Sequence, residues 1–245
     1  MQTSDCAFSV VRADSPLMRD HVHRLRYQAY CIENPFEDPA SHPSGRERDE
    51  FDERAVHSLI VRTTCGTAVG SVRLVLPDSD LSVSRLPIQQ VCQSLPILQS
   101  LYAAGHRVGE VSRFCLSRQA LSQVKPNPNG GYRAGQPEPQ VPDGVTATLT
   151  LLSAVVAMAA AHEVTHICAL MAPTLLRLFA RFGLQLAHLG SPVEHHGRRL
   201  PVFRDLGDLL AGAYRQRPDA WALITQNGTL WPPPQETSAP LEAFA

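Results

Sequence analysis

Net charge is almost absent from this sequence: 22 Lys and Arg face 23 Asp and Glu, leaving −1 at neutral pH. Charge-driven nucleic-acid binding needs a clustered positive excess, so that class is excluded as the main role and no nucleic-acid partner is expected. The six cysteines, Cys6, Cys31, Cys65, Cys92, Cys115 and Cys168, have no C-x-x-C spacing. Several sit in apolar runs, as reduced core thiols do, which points to a reducing compartment. The first ten residues include Asp5 and lack the basic start and apolar core of a secretory signal, so a cytoplasmic location is expected. No predominantly apolar run reaches the roughly 20 residues that a bilayer requires. The nearest, Val145 to Ala161, is seventeen residues, heavy in Ala and Thr, and runs at once into His162-Glu163. It is expected as a buried helix on a sheet, with no integral membrane segment.

Apolar residues make up 44% of the 245, enough to bury a core. One domain is expected over 1–215, with a Pro/Gly-rich insertion at 122–144 and a Pro-rich tail at 216–245 in which the Trp231-Pro232-Pro233-Pro234 stretch is expected to be loose. Phe8 to Val11 reads as a strand, and Pro16 opens a helix over Leu17 to Ile32 that sets Arg26 and Tyr30 one turn apart. Prolines at 35, 39 and 43 make the next stretch irregular. Arg46 to Arg54 holds eight charged residues in nine, a pattern that is ordinarily a solvated face. Val56 to Val61 and Ala68 to Leu76 form a hairpin, and alternation puts Arg73 on one face with Ser71 and Val75. Further strands are expected at Val108 to Leu116, Thr165 to Met171, Leu184 to Leu189 and Leu200 to Phe203, and helices at Leu175 to Phe182 and from Asp208 to about Arg215. Alternating helices and strands of this kind predict an α/β sandwich with a mixed sheet.

Val108 to Leu116 is the unusual strand, because it sets an acid, a hydroxyl and an arginine among apolar residues. Strict alternation would give Glu110, Ser112, Phe114 and Leu116 one face and Val111, Arg113 and Cys115 the other. Each buried charge then needs a partner, a wet cleft or a ligand.

His162-Glu163-Val164-Thr165-His166 matches H-E-x-x-H, which on a helix would place two imidazoles around zinc and would make the protein a zinc hydrolase. The β-branched residues around His166 favour a strand instead, where positions four apart lie about 13 Å from each other. No metal is expected.

Four short motifs fall in a fixed order: Arg26-x-x-x-Tyr30, Asp49-x-x-Asp52, Gly70-Ser-Val-Arg73 and Glu110-Val-Ser-Arg113-Phe114. Together they resemble the acyl-homoserine-lactone synthases, which are GNAT-like acyltransferases. The phrases Leu25 to Cys31 and Ala55 to Leu59 look closer still to the acyltransferases associated with exosortase (PEP-CTERM) systems, and more distantly to N-acyl amino acid synthases. The resemblance implies a GNAT-like three-layer sandwich around a central mixed, twisted sheet with a bulged central strand.

It also implies an N-acyltransferase that moves a long-chain fatty acyl group from an acyl carrier protein or coenzyme A thioester to a small amine such as an amino acid, with no cofactor beyond that co-substrate. Catalytic roles would then fall to Glu110, Ser112 and Arg113, and acceptor binding to Arg26, Tyr30, Asp49, Asp52 and Arg73, one of the arginines holding an acceptor carboxylate. Phe114, Cys115, Leu116, Met171, Leu175 and Phe179 would hold the acyl donor, and Arg177, Arg181, Arg198 and Arg199 would meet an acidic carrier protein. Gly109 stands where the lactone synthases usually carry an aromatic residue, and no tryptophan lies near Phe36. A lactone synthase using S-adenosylmethionine is therefore the alternative, and a non-catalytic acyl-binding sensor another. The missing Gly-rich loop before Leu175 favours a carrier-protein donor.

Overall fold

The computed structural model describes residues 7–80, 85–92, 94–122 and 143–234, so most of the expected insertion lies outside the described residues. Eight strands form one sheet: β1 (Phe8–Arg12), β2 (Ala55–Arg62), β3 (Ala68–Val75), β4 (Val108–Leu116), β5 (His166–Met171), β6 (Ala187–His188), β7 (Val193–Glu194) and β8 (Arg198–Asp205). Their order is β1-β2-β3-β4-β5-β8-β6, with β7 paired to β8. Every pairing is antiparallel except β4 with β5, which makes the sheet mixed.

Helices cover both faces. The side of α1 (Pro16–Tyr27), α2 (Ile88–Val91) and α3 (Pro96–Ala103) carries two smaller cores, one around Leu25, Ala29 and Cys115 and one around Leu86, Leu98, Val108 and Cys168. The other side carries the main core, built on α5 (Asp143–Ala161), α6 (Pro173–Ala180), α7 (Leu206–Gln216) and α8 (Pro218–Thr225). A short α4 (Arg118–Ser122) follows β4. Helix α5 is the one described helix long and apolar enough to cross a membrane, and two-thirds of its apolar window is buried against the sheet and α8.

Local chemistry sets the element ends. Ser15 caps α1, its hydroxyl accepting from Met18 N–H, and Pro16 occupies the first turn, where an amide hydrogen is dispensable. Helix α1 then widens into a π turn over Gln28–Glu33, and the Tyr30 carbonyl accepts the N–H groups of both Phe36 and Glu37, turning the chain back over the sheet. The Glu33 carboxylate pins that turn to the start of α4 by accepting from Ser117 Oγ at 2.6 Å and Arg118 N at 2.7 Å.

Three expectations change. The stretch after 216 is more than a Pro-rich tail, since α8 lies within it and Trp221 is buried, and Trp231, expected to be loose, packs on the main core. Of Leu184 to Leu189 only Ala187–His188 pairs as strand. The alternation expected along β4 fails after Ser112, for the reason given next.

Candidate active site

Strand β4 contains a bulge. Ser112 pairs with Arg73 and Cys115 with Ser71, so Arg113 and Phe114 together face the single residue Val72. Arg113 accommodates the extra residue at φ 49, in the left-handed region. The inversion reverses the faces beyond it: Phe114 and Leu116 turn to the α5 side, where Val111 already points, and Cys115 turns to the α1 side with Glu110 and Ser112. Arg113 thus joins the face of Glu110, and Phe114 and Leu116 leave it.

Strands β4 and β5 pair only from Val108–His166 to Glu110–Cys168. Beyond Glu110 they part, and a cavity of about 630 Å³ opens between them, lined by Val111 to Phe114 on one side and Ala169 to Met171 on the other. Its polar end lies under the segment after α1, with Tyr30, Phe36, Glu37, Glu47, Asp49 and Arg73. Its apolar end reaches Phe114, Met171 and Leu175. Of the proposed acyl-holding residues these last three line the cavity. Phe179 is buried behind Phe114, with ring centroids 6.3 Å apart, and neither Cys115 nor Leu116 lines it.

Six charged side chains close a ring beneath the polar end. Arg26 Nε donates to Glu47 at 2.5 Å and Arg26 Nη1 to Asp52 at 2.7 Å. Arg73 Nη1 donates to Asp52 at 2.9 Å and to Asp49 at 2.5 Å. Arg113 completes the circuit, donating to Asp49 at 3.0 Å and to Glu47 at 3.1 Å. Every arginine thus has two carboxylates and every carboxylate two arginines, tying α1, the charged segment, β3 and β4 together. Arg73 Nε also donates to Ser112 Oγ at 3.0 Å.

The charged run is therefore no solvated face, since Glu47 is 1% exposed and Arg26 and Arg73 are fully buried. Glu47, passed over as one charge among eight, is as central as Asp49. The signal that marks it is the spacing of two, which sends alternate residues of an extended chain the same way; Arg48 between them is exposed. A capping box holds the acids in place: Asp49 Oδ1 accepts from Phe51 N–H, and Asp52 Oδ2 from Asp49 N–H. Burial alone would raise the Glu47 carboxyl, but Arg26 and Arg113 hold it down at about 2. The same balance, with Arg26 and Arg73, keeps Asp52 well below the usual carboxylate range. His57, buried beside Arg26 and 3.7 Å from Asp52, is driven down to about 4 by burial and by Arg26.

Glu110 stands outside the ring. It is 3% exposed, forms no ion pair among the described residues, and accepts the Ile88 N–H at 2.7 Å. Burial pushes its carboxyl up to about 8, against the opposing pull of that hydrogen bond and of Arg73 and Arg113. A buried acid poised near neutrality at the edge of a cavity is the usual setting of a general base.

Of the remaining expected residues, Tyr30 and Ser112 line the cavity, whereas Arg26 and Asp52 lie beneath it. His162 sits in the turn after α5 and His166 on β5, so the two are not on one helix. The hairpin of β7 and β8 brings His195, His196 and Arg199 to the cavity mouth. Of these, only Arg199 had been singled out from the sequence.

Residues 25–123 match the Acetyltransferase (GNAT) domain family. The mixed sheet, the bulged strand and the splayed β4–β5 pair agree with that match, and the fold is GNAT-like. Similar solved structures include FeeM, an N-acyl amino acid synthase from uncultured soil microbes, with 13% identity and a TM-score of 0.57 over 86% of this chain and 97% of that one. The coenzyme A-dependent acyl-homoserine lactone synthase BjaI is 19% identical, with a TM-score of 0.52 over 90% of this chain and 88% of its own. The lactone synthase LasI is 14% identical, with a TM-score of 0.52 over 85% and 94%. No curated protein matches the sequence.

Proposed function

We propose that this protein is an N-acyltransferase that moves a fatty acyl group from a thioester, on acyl carrier protein or coenzyme A, to the amine of a small acceptor such as an amino acid. The observation that carries the reading is Glu110, a buried acid with no ion pair among the described residues, its pKa pushed up to about 8, at the point where β4 and β5 part. An amine attacks only when unprotonated, and the α-ammonium group of a free amino acid holds its proton more tightly than the chain-end value of about 7.7 to 8.0. Transfer of that proton to Glu110 costs roughly 5 kcal/mol less than transfer to an ordinary carboxylate would. The freed nitrogen attacks the thioester carbonyl carbon, the C–S bond breaks, and the thiolate leaves with the proton released by the nitrogen.

Backbone N–H groups of β4 around the bulge are suited to the developing oxyanion, because β5 has turned away and leaves that edge facing the cavity. The apolar end beside Phe114, Met171 and Leu175 suits a fatty chain. Asp49, Glu37 and Tyr30 surround the acceptor end, and the ring holds Asp49 and Arg113 in fixed positions. The role in an exosortase-associated system and a cytoplasmic location belong to the same proposal.

The test is incubation with acyl carrier protein and coenzyme A thioesters and a panel of amines that includes S-adenosylmethionine, followed by thiol release and mass spectrometry of acyl-amides. The expected result is an N-acyl product, with a rate that rises with pH through about 8. Glu110→Gln should lower kcat by about 10²- to 10⁴-fold and leave a residual rate that follows only the ionisation of the free amine. Thioester binding without any product from the panel would favour the sensor reading, and acyl-homoserine lactone from S-adenosylmethionine would make the lactone synthases the right comparison.

A further inference from the structure

The ring leaves the cavity floor without a cation free for an incoming anion, since Arg26, Arg73 and Arg113 each already serve two carboxylates. Drawing one toward a ligand would strand a carboxylate, with Glu47 and Asp52 almost fully buried. The mouth differs. Arg199 lines the cavity, forms no ion pair among the described residues, and is braced over the Phe36 ring with its guanidinium carbon 5.7 Å from the ring centre. The His195 ring lies 4.4 Å from that of His196 and within the electrostatic reach of both Arg113 and Arg199, so mouth and floor are contiguous. His196 already has a carboxylate, Glu37, at 3.5 Å, which leaves Arg199 and His195 as the open donors of the hairpin; the exposed Arg48 also lines the cavity and has no ion pair among the described residues, but no aromatic ring holds it.

We infer that Arg199, with His195, is the specificity element of this cavity and takes the carboxylate of an acceptor that carries both an amine and a carboxylate, that is, an amino acid. The inference rests on the proposed acyl transfer and assigns to Arg199 the contact that the sequence offered to the ring arginines. The two ends of the acceptor then find opposite chemistry: acids around the amine, and the guanidinium held over Phe36 at the carboxylate. A planar guanidinium held against an aromatic face suits paired hydrogen bonds to a carboxylate.

The experiment compares each of a set of amino acids with its primary carboxamide, in the wild type and in Arg199→Gln, Arg199→Lys and Arg48→Gln. The expected result is a wild-type preference for the acid of about tenfold or more in kcat/KM, carried by KM. Arg199→Gln should remove that preference and leave rates with the amides within about twofold, and Arg199→Lys should restore part of it. Equal losses for acid and amide would overturn the inference, as would a loss confined to the KM of the thioester, which would place Arg199 on the donor. Loss of the preference in Arg48→Gln but not in Arg199→Gln would overturn it too. If the wild type acylates neither acids nor amides, the proposed function fails. Calorimetric binding of the same acids and amides then decides the inference alone: selective binding of acids that Arg199→Gln abolishes supports it, and equal binding or none overturns it.

Discussion

Glu110 and Arg113 open onto one cavity although they are three positions apart on a strand, where alternation would set them on opposite faces. The left-handed Arg113 and the two-for-one pairing against Val72 make the difference. They bring an acid of raised pKa and a guanidinium held by two carboxylates to the same end of the cavity.

The bulge has a measurable energetic signature. A non-glycine residue in the left-handed region costs roughly 1 kcal/mol or more. Arg113→Ala and Arg113→Gly lose the same hydrogen bonds to Glu47 and Asp49, but only glycine relieves the backbone. Urea unfolding should therefore find the glycine variant more stable than the alanine variant by about 1 kcal/mol. A reversed order would show that the positive φ carries no strain.

Glu110 trades stability for reactivity. Its folded pKa is raised to about 8 from an ordinary 4.5, so its contribution to stability is fully present below 4.5 and is lost as pH rises through 8. Glu110→Gln should be the more stable protein at pH 7, by about 3 kcal/mol, with the difference shrinking toward pH 4.5. Denaturant midpoints measured between pH 5 and 9 check both sign and window. A glutamine variant that is less stable at pH 7 would remove the basis for a strained acid.

The ring should fail as a unit. Arg26→Met leaves Glu47 and Asp52 buried beside the remaining arginines and should destabilise by about 3–5 kcal/mol. Adding Glu47→Gln should recover part of that, because the stranded charge is gone, so the double variant should be more stable than the sum of the two single losses. Additive effects would mean that the six groups act independently.

Gly109 faces the main core, where an added Cβ would lie 2.9 Å from Leu74 Cδ1 and 3.2 Å from Val164 Cγ1. Gly109→Ala should cost about 1–3 kcal/mol through overpacking, and the aromatic residue usual in the lactone synthases should not be accommodated at all. Thermal unfolding of the two variants tests this.

The strands and helices that frame the site were legible because their apolar periods are clean. Arg73 lies on the face that alternation gave it, and the Val145 to Ala161 run is a buried helix. Of the residues expected at the candidate site, Tyr30, Asp49, Arg73, Glu110, Ser112, Arg113, Phe114, Met171 and Leu175 do line one cavity, but its geometry was less legible. A one-residue insertion into a ladder leaves no periodic trace, so Phe114 and Leu116 were set on the wrong face. Glu47 was hidden because a dense charged run gives no clue to which of its members turn inward until three buried arginines are seen waiting for them. His195, His196 and Arg199 come to the cavity through a hairpin that begins 77 positions after the end of β4, a proximity that sequence order does not encode.

Three positive and three negative charges in alternation give the ring no monopole. Its field is that of a higher multipole, intense at contact and decaying steeply within a few ångströms. It can orient a group that has already arrived but cannot draw one in from solution, so capture of a charged acceptor should owe little to the floor of the cavity. Whatever long-range guidance exists must come from charges at the rim. Recruitment and alignment are thereby divided between two layers of the same cavity, and the dependence of acceptor capture on ionic strength should report on the rim alone.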